Sequence, residues 1–554
     1  MIENMKPMIK LFISFLMFLS INNPINANPY PVYFADIIEE NNQKILHFEW
    51  RPDYQSYDKA IITNSKGEVL AEINYPKNSY NVTKLHEENI LYVTALGKNG
   101  EKSKPVMVDL KKDYSILYAK GPSGKIIIEK EKGQNAKFVN ADNKREFIVK
   151  GVNFCGIRSG YHDAFEPDII ATQALVNHVK RVNRNPAGGS LVHDAKVGDT
   201  IKFYDPRRSE ILMRTLKSNG YNLVRVFLIT RGIDSENTNI RGLSGPPDTK
   251  GISREYMDNF INFLTLAQRY GIYVMPCFGD NGMPDNNYFK KMAKGATGQG
   301  VLFSEEGIKA KQHYIKLFLQ YIKSKDPSLI NSLFALTMEN EFAFRSDEAP
   351  FNQISGSYTF IDGITYDMTN DDERRALANA AIQNYYAKMK EAVEANAPGL
   401  LVGEGTFPMG AVGKTYDNSK GIRTIEGNDD LRFPMTAVEL LKTDIDFLDF
   451  HVYRWGVKGT GADVFHHFAE NMKLLTPEAS EFMKSKPIIM GEFGSFNFEE
   501  TTLDEAIIFV KELNDAALEF GFKGSAYWTI DTFVQTNLWN LMWEDGKMLK
   551  AFRK

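Results

Sequence analysis

The chain has 554 residues and a formal net charge of −4, from 66 basic and 70 acidic side chains; 43% of its residues are hydrophobic and 25% charged. That is ample material for a large core and more than one domain, and nothing in it has the composition of a disordered chain. Near charge balance without a long basic run argues against nucleic acid or an anionic membrane surface as partner, which leaves an uncharged substrate as the expectation.

Lys6 and Lys10 precede an apolar run from Leu11 to Leu19 and a polar stretch ending in Ala27. This reads as a signal peptide over residues 1–27, because a spanning helix needs about 20 apolar residues and this run has about half of that. The mature protein is therefore expected to be secreted or periplasmic, with no membrane partner once the signal is removed. Cys155 and Cys277 are the only cysteines; for an exported chain that is too few for a disulfide scaffold, and both read as buried free thiols.

Residues 30–112 follow a period of two. Leu46, Phe48 and Trp50 alternate inward, as do Leu91, Val93 and Ala95; Ser65 to Gly67 makes a turn, and Asn99-Gly100 signals a hairpin into Val106, Val108 and Leu110. The pattern is that of a small all-β sandwich. It resembles a fibronectin type III or immunoglobulin-like module, without a cysteine pair to favour the latter, and reads as a brace. Residues 113–139 read as a linker through Gly121 to Gly124 and a barrel-capping hairpin, with Ile126 to Ile128 followed by a turn at Asn140 to Asn143 into Phe147 to Val149.

Over residues 140–554 the periodicity changes. Short apolar runs begin at Phe147, Leu223, Ile272, Leu333, Leu400, Phe447, Ile488 and Ala526, and helical stretches separate them. Asp205-Pro206 and Ser253 are helix starts; Ile308, Ile315, Phe318, Leu319 and Ile322 form an apolar helical stripe. Eight strand–helix alternations without a glycine-rich phosphate turn predict an α/β fold of the (β/α)8 TIM-barrel type. Its last helix is expected to be weak, with only residues 547–554 left to build it. Long irregular stretches are expected at about 155–204, 343–370, 405–430 and 530–546, all on the carboxyl face where barrels keep their sites.

Two of the apolar runs end in acids. Leu333 to Met338 runs into Glu339, Asn340 and Glu341, and Pro487 to Met490 runs through Gly491 into Glu492. An acid at the mouth of a buried strand has lost water and must be either paired or at work. Together, Glu341 and Glu492 suggest a catalytic carboxylate pair. Strict strand alternation would put Glu339 on the side of Glu341, so the two could be confused unless the strand end is bulged. Glu404, after the fifth strand, is a further acid near the mouth, either substrate-contacting or structural.

With Gly151 to Asn153 on the first strand, Arg225 on the second, Asn340-Glu341 after the fourth, His451-Val-Tyr453 after the sixth, Glu492 after the seventh and Trp528 on the eighth, residues 140–554 resemble the clan A retaining glycoside hydrolases, family 5, of the cellulase and mannanase type. The resemblance implies Glu341 as general acid and then base, Glu492 as nucleophile, Asn340 on the sugar 2-hydroxyl, Tyr453 and Arg225 supporting the nucleophile, and His451 shaping the sugar site. Each supporting residue also has a plain structural reading: Arg225 as a neutraliser, Tyr453 and His451 as satisfied core polar groups, Trp528 as packing. The chain departs from the family at Phe342, often a proline, and at Cys277, after which the strand-3 histidine of many cellulases is missing; with Tyr453 to Trp455, this looks closer to mannanases.

No metal or cofactor is expected: His466 and His467 are adjacent on a helix and cannot face one site. The expected function is an endo-acting secreted glycosidase on β-mannan or β-glucan, a monomer whose partner is a polysaccharide or oligosaccharide. The alternatives are a non-catalytic carbohydrate-binding or adhesive protein, and a transglycosylase using the same acids.

Overall fold

A computed structural model of the chain describes residues 29–40, 42–50, 56–119, 124–154, 157, 204–228, 242–279, 283–412, 431–497, 499–530 and 538–553. The expected signal peptide, Cys155 and most of the segment expected at 155–204 lie outside these residues. The chain divides into two compact units between Lys111 and Lys112. Among the described residues no helix is long and apolar enough to cross a membrane.

The described residues of the first unit form seven strands in two antiparallel sheets. Tyr33–Glu40, Gln43–Glu49 and Ser79–Asn81 form one; Val69–Asn74, Tyr57–Asn64, Ile90–Gly97 and Val106–Asp109 form the other. Alternation decides the core: Leu46, Phe48 and Trp50 from the first sheet pack against Ala60, Ile62, Leu91, Val93 and Ala95 from the second. The Asn99-Gly100 turn sits where the sequence put it, with Gly100 at φ +85° and Leu91 paired with Val108.

In the second unit, Val149–Phe154, Leu223–Phe227, Tyr273–Cys277, Ala335–Thr337, Leu401–Gly405, Phe447–Val452, Ile488–Phe493 and Gly524–Tyr527 close into a barrel in that order, every neighbouring pair parallel. These are barrel strands 1 to 8. They read as continuous apolar runs because both faces are covered, by helices outside and by side chains within. The helices start where their caps are. Asp205 accepts from the Arg207 N–H with Pro206 in the first turn, Ser253 accepts from the Tyr256 N–H, and Asn370 caps the long helix Asp371–Asn396.

The amino-terminal end of the barrel is plugged by a hairpin in which Ile126–Glu129 pairs with Lys137–Asn140. The turn at Asn140 to Asn143 also forms and carries the chain back alongside, with a bridge between Val139 and Glu146 and the Asn140 and Phe147 N–H groups donating to the Arg145 and Phe138 carbonyls at 3.0 and 2.8 Å. Ile126 and Phe138 pack against Phe334, Phe447, Met275 and Ile489, an apolar floor beneath the site. The last helix is longer than expected, Trp543–Ala551, because the aromatic segment before Lys547 joins it. The segment expected to be irregular at 343–370 is ordered: Ala343–Arg345 pairs with Arg432–Pro434, and Ser357–Thr359 with Thr365–Asp367.

Candidate active site

Barrel strand 4 stops at Thr337, and this break resolves the ambiguity among its acids. Past the break, Asn340 and Glu341 both turn toward the barrel interior, whereas Glu339 turns outward to Lys311 and Tyr385. The Asn340 carbonyl oxygen is the reason for glycine at 405, since a Cβ there would stand 1.7 Å from it. Two neighbouring residues can serve one site only because regular pleating has ended.

Above the apolar floor lies a buried polar layer centred on Arg225, whose side chain is fully buried. Its Nε donates to Asp449 Oδ2 at 2.9 Å, Nη1 to Asn153 Oδ1 at 3.0 Å and to Glu492 Oε2 at 3.3 Å, and Nη2 to Asn340 Oδ1 at 2.9 Å. Burial alone would weaken its charge, but Asp449, Cys277, Glu492 and Glu341 more than reverse this and hold the guanidinium protonated. One rigid fork thus fixes Asn340 and Glu492 relative to each other, geometry a lysine could not supply. Asn153 is oriented in turn by donating to the Gly491 carbonyl at 2.9 Å.

At the top of this layer the two glutamates meet. One carboxylate oxygen each of Glu341 and Glu492, together with a ring nitrogen of His451, lie within 4.8 Å of one another. His451 Nδ1 is 2.8 Å from Glu341 Oε1 and 3.4 Å from Glu492 Oε2, and Tyr453 donates its hydroxyl to Glu492 Oε1 at 2.9 Å. Burial and the Glu492 charge push the Tyr453 hydroxyl well above its usual range, so it stays a donor. Glu341 keeps a side-chain exposure of 24%, against 9% for Glu492. Glu492 is pushed up to about 7 by its burial, against the pull of His451, with the charge on Glu341 adding to the push and Arg225 and Tyr453 opposing it.

Trp528 is packed with only 4% exposure against Tyr453, Phe496 and Leu538, its ring edge-on to Phe227 at 5.2 Å. Among the tryptophans after barrel strands 6 and 8, Trp455 is the exposed one, at 44%, with its ring 5.6 Å from Phe496 and 6.0 Å from Tyr453. Cys277 is buried, and its Sγ lies 3.8 Å from Arg225 Nη2.

Glu404 and Glu339 belong to a separate buried cluster outside the strand ends. Lys311 Nζ lies 3.0 Å from Glu339 Oε1, Tyr385 donates to the same oxygen at 2.6 Å, and the Glu339 N–H donates to Glu404 Oε2 at 3.1 Å. Burial and the neighbouring Glu339 charge raise Glu404 well above the usual glutamate range, against weaker pulls from Tyr386, the Glu339 N–H and Lys311. The folded chain therefore holds a proton that the unfolded chain has lost. This contribution to stability is whole below the ordinary glutamate range and is eroded as pH rises toward the raised value. Glu404→Gln, neutral at every pH, is expected to stabilise the protein on the order of 1–3 kcal/mol at pH 8 and hardly at all at pH 4.5. Thermal melts of both proteins at the two pH values check this, and an equal effect at both would contradict it.

Among the described residues, Glu341, His451 and Glu492 are the one group close enough to hold a cation together. The Arg225 guanidinium, 3.3 Å from Glu492 Oε2, already supplies that carboxylate with a positive partner. Asp449, Asn153 and Cys277 complete the network around Arg225. The sequence signal for Asp449 is an acid alternating with His451 and Tyr453 in an otherwise apolar strand.

No protein-family model matches the chain, and no curated protein matches it. Solved structures do. The endo-1,4-β-mannanase of Rhizomucor miehei aligns at 14% identity over 78% of this chain and 98% of its own, with a TM-score of 0.45. The endo-β-1,4-mannanase of Thermotoga petrophila aligns at 12% identity over 74% and 77%, with a TM-score of 0.43. The β-mannanase of the blue mussel Mytilus edulis aligns at 14% over 78% and 96%, with a TM-score of 0.41.

Proposed function

We propose that the chain is a retaining glycoside hydrolase of the family 5 type, cleaving a β-linked polysaccharide, β-mannan or β-glucan, by double displacement. The observation that carries this is the spacing of Glu341 and Glu492, with carboxylate oxygens inside 4.8 Å. Retaining enzymes hold their carboxyl groups about 5–5.5 Å apart, whereas inverting enzymes need about 6.5–9.5 Å to admit a water.

Glu492 is the nucleophile in this reading. It is the more buried acid and is held by two fixed donors, Arg225 and Tyr453. Glu341, more exposed, is the acid and then the base. With Glu341 protonated in its role as the acid, the like charge that helps push Glu492 up is gone, and His451, Arg225 and Tyr453 keep Glu492 ionised. Asn340, fixed through Oδ1 by Arg225, turns its amide N–H groups toward a sugar 2-hydroxyl, an interaction that strengthens as the oxocarbenium-like transition state forms. Trp528 and Trp455 supply apolar faces for sugar rings.

Mannan is favoured over glucan by the resemblance at Tyr453 to Trp455. The chain is read as a monomer exported after loss of residues 1–27, its first unit a fibronectin type III-like brace, on the strand order of its two sheets. Purified protein on a panel of soluble β-mannans and β-glucans, with the anomer of the first product followed by NMR, tests the reading. Release of the β-anomer supports it; the α-anomer contradicts retention. Binding to glycans without cleavage or transfer would favour the carbohydrate-binding alternative.

A further inference from the structure

The reaction proposed above leaves Asp449 without a role, although it sits under the two glutamates. It is fully buried. Oδ2 accepts from Arg225 Nε at 2.9 Å, but Oδ1 has no hydrogen-bond donor among the described residues, a costly state for a buried carboxylate oxygen. The group facing that oxygen is the His451 ring, with Nε2 at 3.4 Å. Room for Oδ1 exists only because residue 491 is glycine, since a Cβ there would stand 1.6 Å from it.

A charge count says what this contact does. Three carboxylates, those of Asp449, Glu341 and Glu492, surround one guanidinium, Arg225. Of the other titratable groups packed here, Tyr453 and Cys277 can add only negative charge. His451 alone in this set can add a positive one. With the ring charged and one proton on the glutamate pair, the layer is neutral and one glutamate is ionised. With the ring neutral, neutrality would require protons on both glutamates, and no nucleophile would remain.

We propose that Asp449 is a positioning residue: it accepts from His451 Nε2–H, keeps the ring doubly protonated, and so aims a charged Nδ1–H donor at Glu341 and Glu492. The direction of the His451 titration agrees. Burial would pull it down, but Glu492, Asp449 and Glu341 together push it up to about 10. Arg225 Nη2, 3.5 Å from Nε2, works against the ring charge, but its shorter bond is to Asn340 at 2.9 Å. The consequence for catalysis rests on the glycosidase reading; the charge state of His451 does not.

The experiment is a titration of the histidine carbon and nitrogen resonances in the labelled full chain and in Asp449→Asn, with His451 assigned through His451→Asn. In the wild type, the His451 ring is expected to remain an imidazolium through pH 8. In Asp449→Asn its pKa should fall by about one to three units, the effect of losing one adjacent opposite charge. Above that lowered value the ring no longer carries the charge that opposes the burial of Glu492, so the kcat/KM profile of Asp449→Asn should depart in shape from the wild type there and match its shape at lower pH. A wild-type His451 that titrates near 6.5, the ordinary histidine value, overturns the proposal. So does an Asp449→Asn variant that loses rate evenly at all pH values with its His451 titration unmoved. Should Asp449→Asn not fold, the wild-type titration decides alone. A wild type that turns over no glycoside removes the glycosidase reading while leaving the titration to judge Asp449.

Discussion

Glu492→Ala is expected to lose roughly four to six orders of magnitude in kcat, whatever the leaving group, because it removes the atom that must attack the anomeric carbon. No neighbour can stand in. Glu341 is bound to His451 Nδ1, and Asp449 is a layer lower, held by Arg225. The substitution leaves the Tyr453 hydroxyl and one Arg225 N–H without their acceptor, so a stability loss on the order of 3 kcal/mol accompanies it. Glu492→Gln keeps a carbonyl oxygen for Arg225 Nη1, and its NH2 can donate to the Tyr453 hydroxyl, which turns from donor to acceptor; it therefore separates the two effects and should melt close to the wild type and still show no turnover. Binding of an oligosaccharide, followed by calorimetry, should survive in the Gln variant because Asn340 and the tryptophans are untouched. Measurable turnover in Glu492→Gln beyond about 1% of the wild type would remove Glu492 from the nucleophile's role.

Much of this arrangement was legible in the chain before any coordinates, and the reason is physical. Continuous apolar runs separated by capped helices admit few folds, and eight of them closed into a barrel as the pattern required. The acids stood out at Glu341 and Glu492 because strand ends at the carboxyl face are where a barrel lets a buried run meet solvent. What remained hidden depends on contacts between strands far apart in sequence. Asp449 stands in the chain as an acid alternating with His451 and Tyr453, but its partners come from elsewhere, Arg225 on strand 2 and Gly491 on strand 7. Glu339 and Glu341 could not be separated by periodicity, since the break after Thr337 that turns them to opposite sides is set by packing against Gly405 and by Lys311. The turn at Asn140 to Asn143 was legible, but the pairing of Ile126–Glu129 with Lys137–Asn140 was not, because Phe138 is drawn under the barrel by Phe334 and Phe447 from distant strands.

Glu341→Ala is expected to show a different failure from Glu492→Ala, because the two acids act at different steps. Without a proton donor, cleavage of a natural polysaccharide, whose leaving sugar is a poor leaving group, should fall by about two to four orders of magnitude. An activated aryl glycoside needs no such help, so its glycosylation step should survive, and the reaction should then stall because no base activates water against the covalent intermediate. A burst of the phenol with little steady-state turnover is the expected trace. Azide, a nucleophile that needs no base and fits the space left by the carboxylate, should restore turnover and give the β-glycosyl azide. Glu339→Ala is the internal control. That residue faces Lys311 and Tyr385 and is 1% exposed, so its loss strands a buried lysine and lowers stability without producing the burst or the rescue. If the burst and rescue follow Glu339 instead, the break after Thr337 does not turn Glu341 toward the sugar, and the acid is the other glutamate. If neither variant shows them while Glu492→Ala is dead, the proton comes from a third group, and His451, 2.8 Å from Glu341 Oε1, is the side chain to replace next.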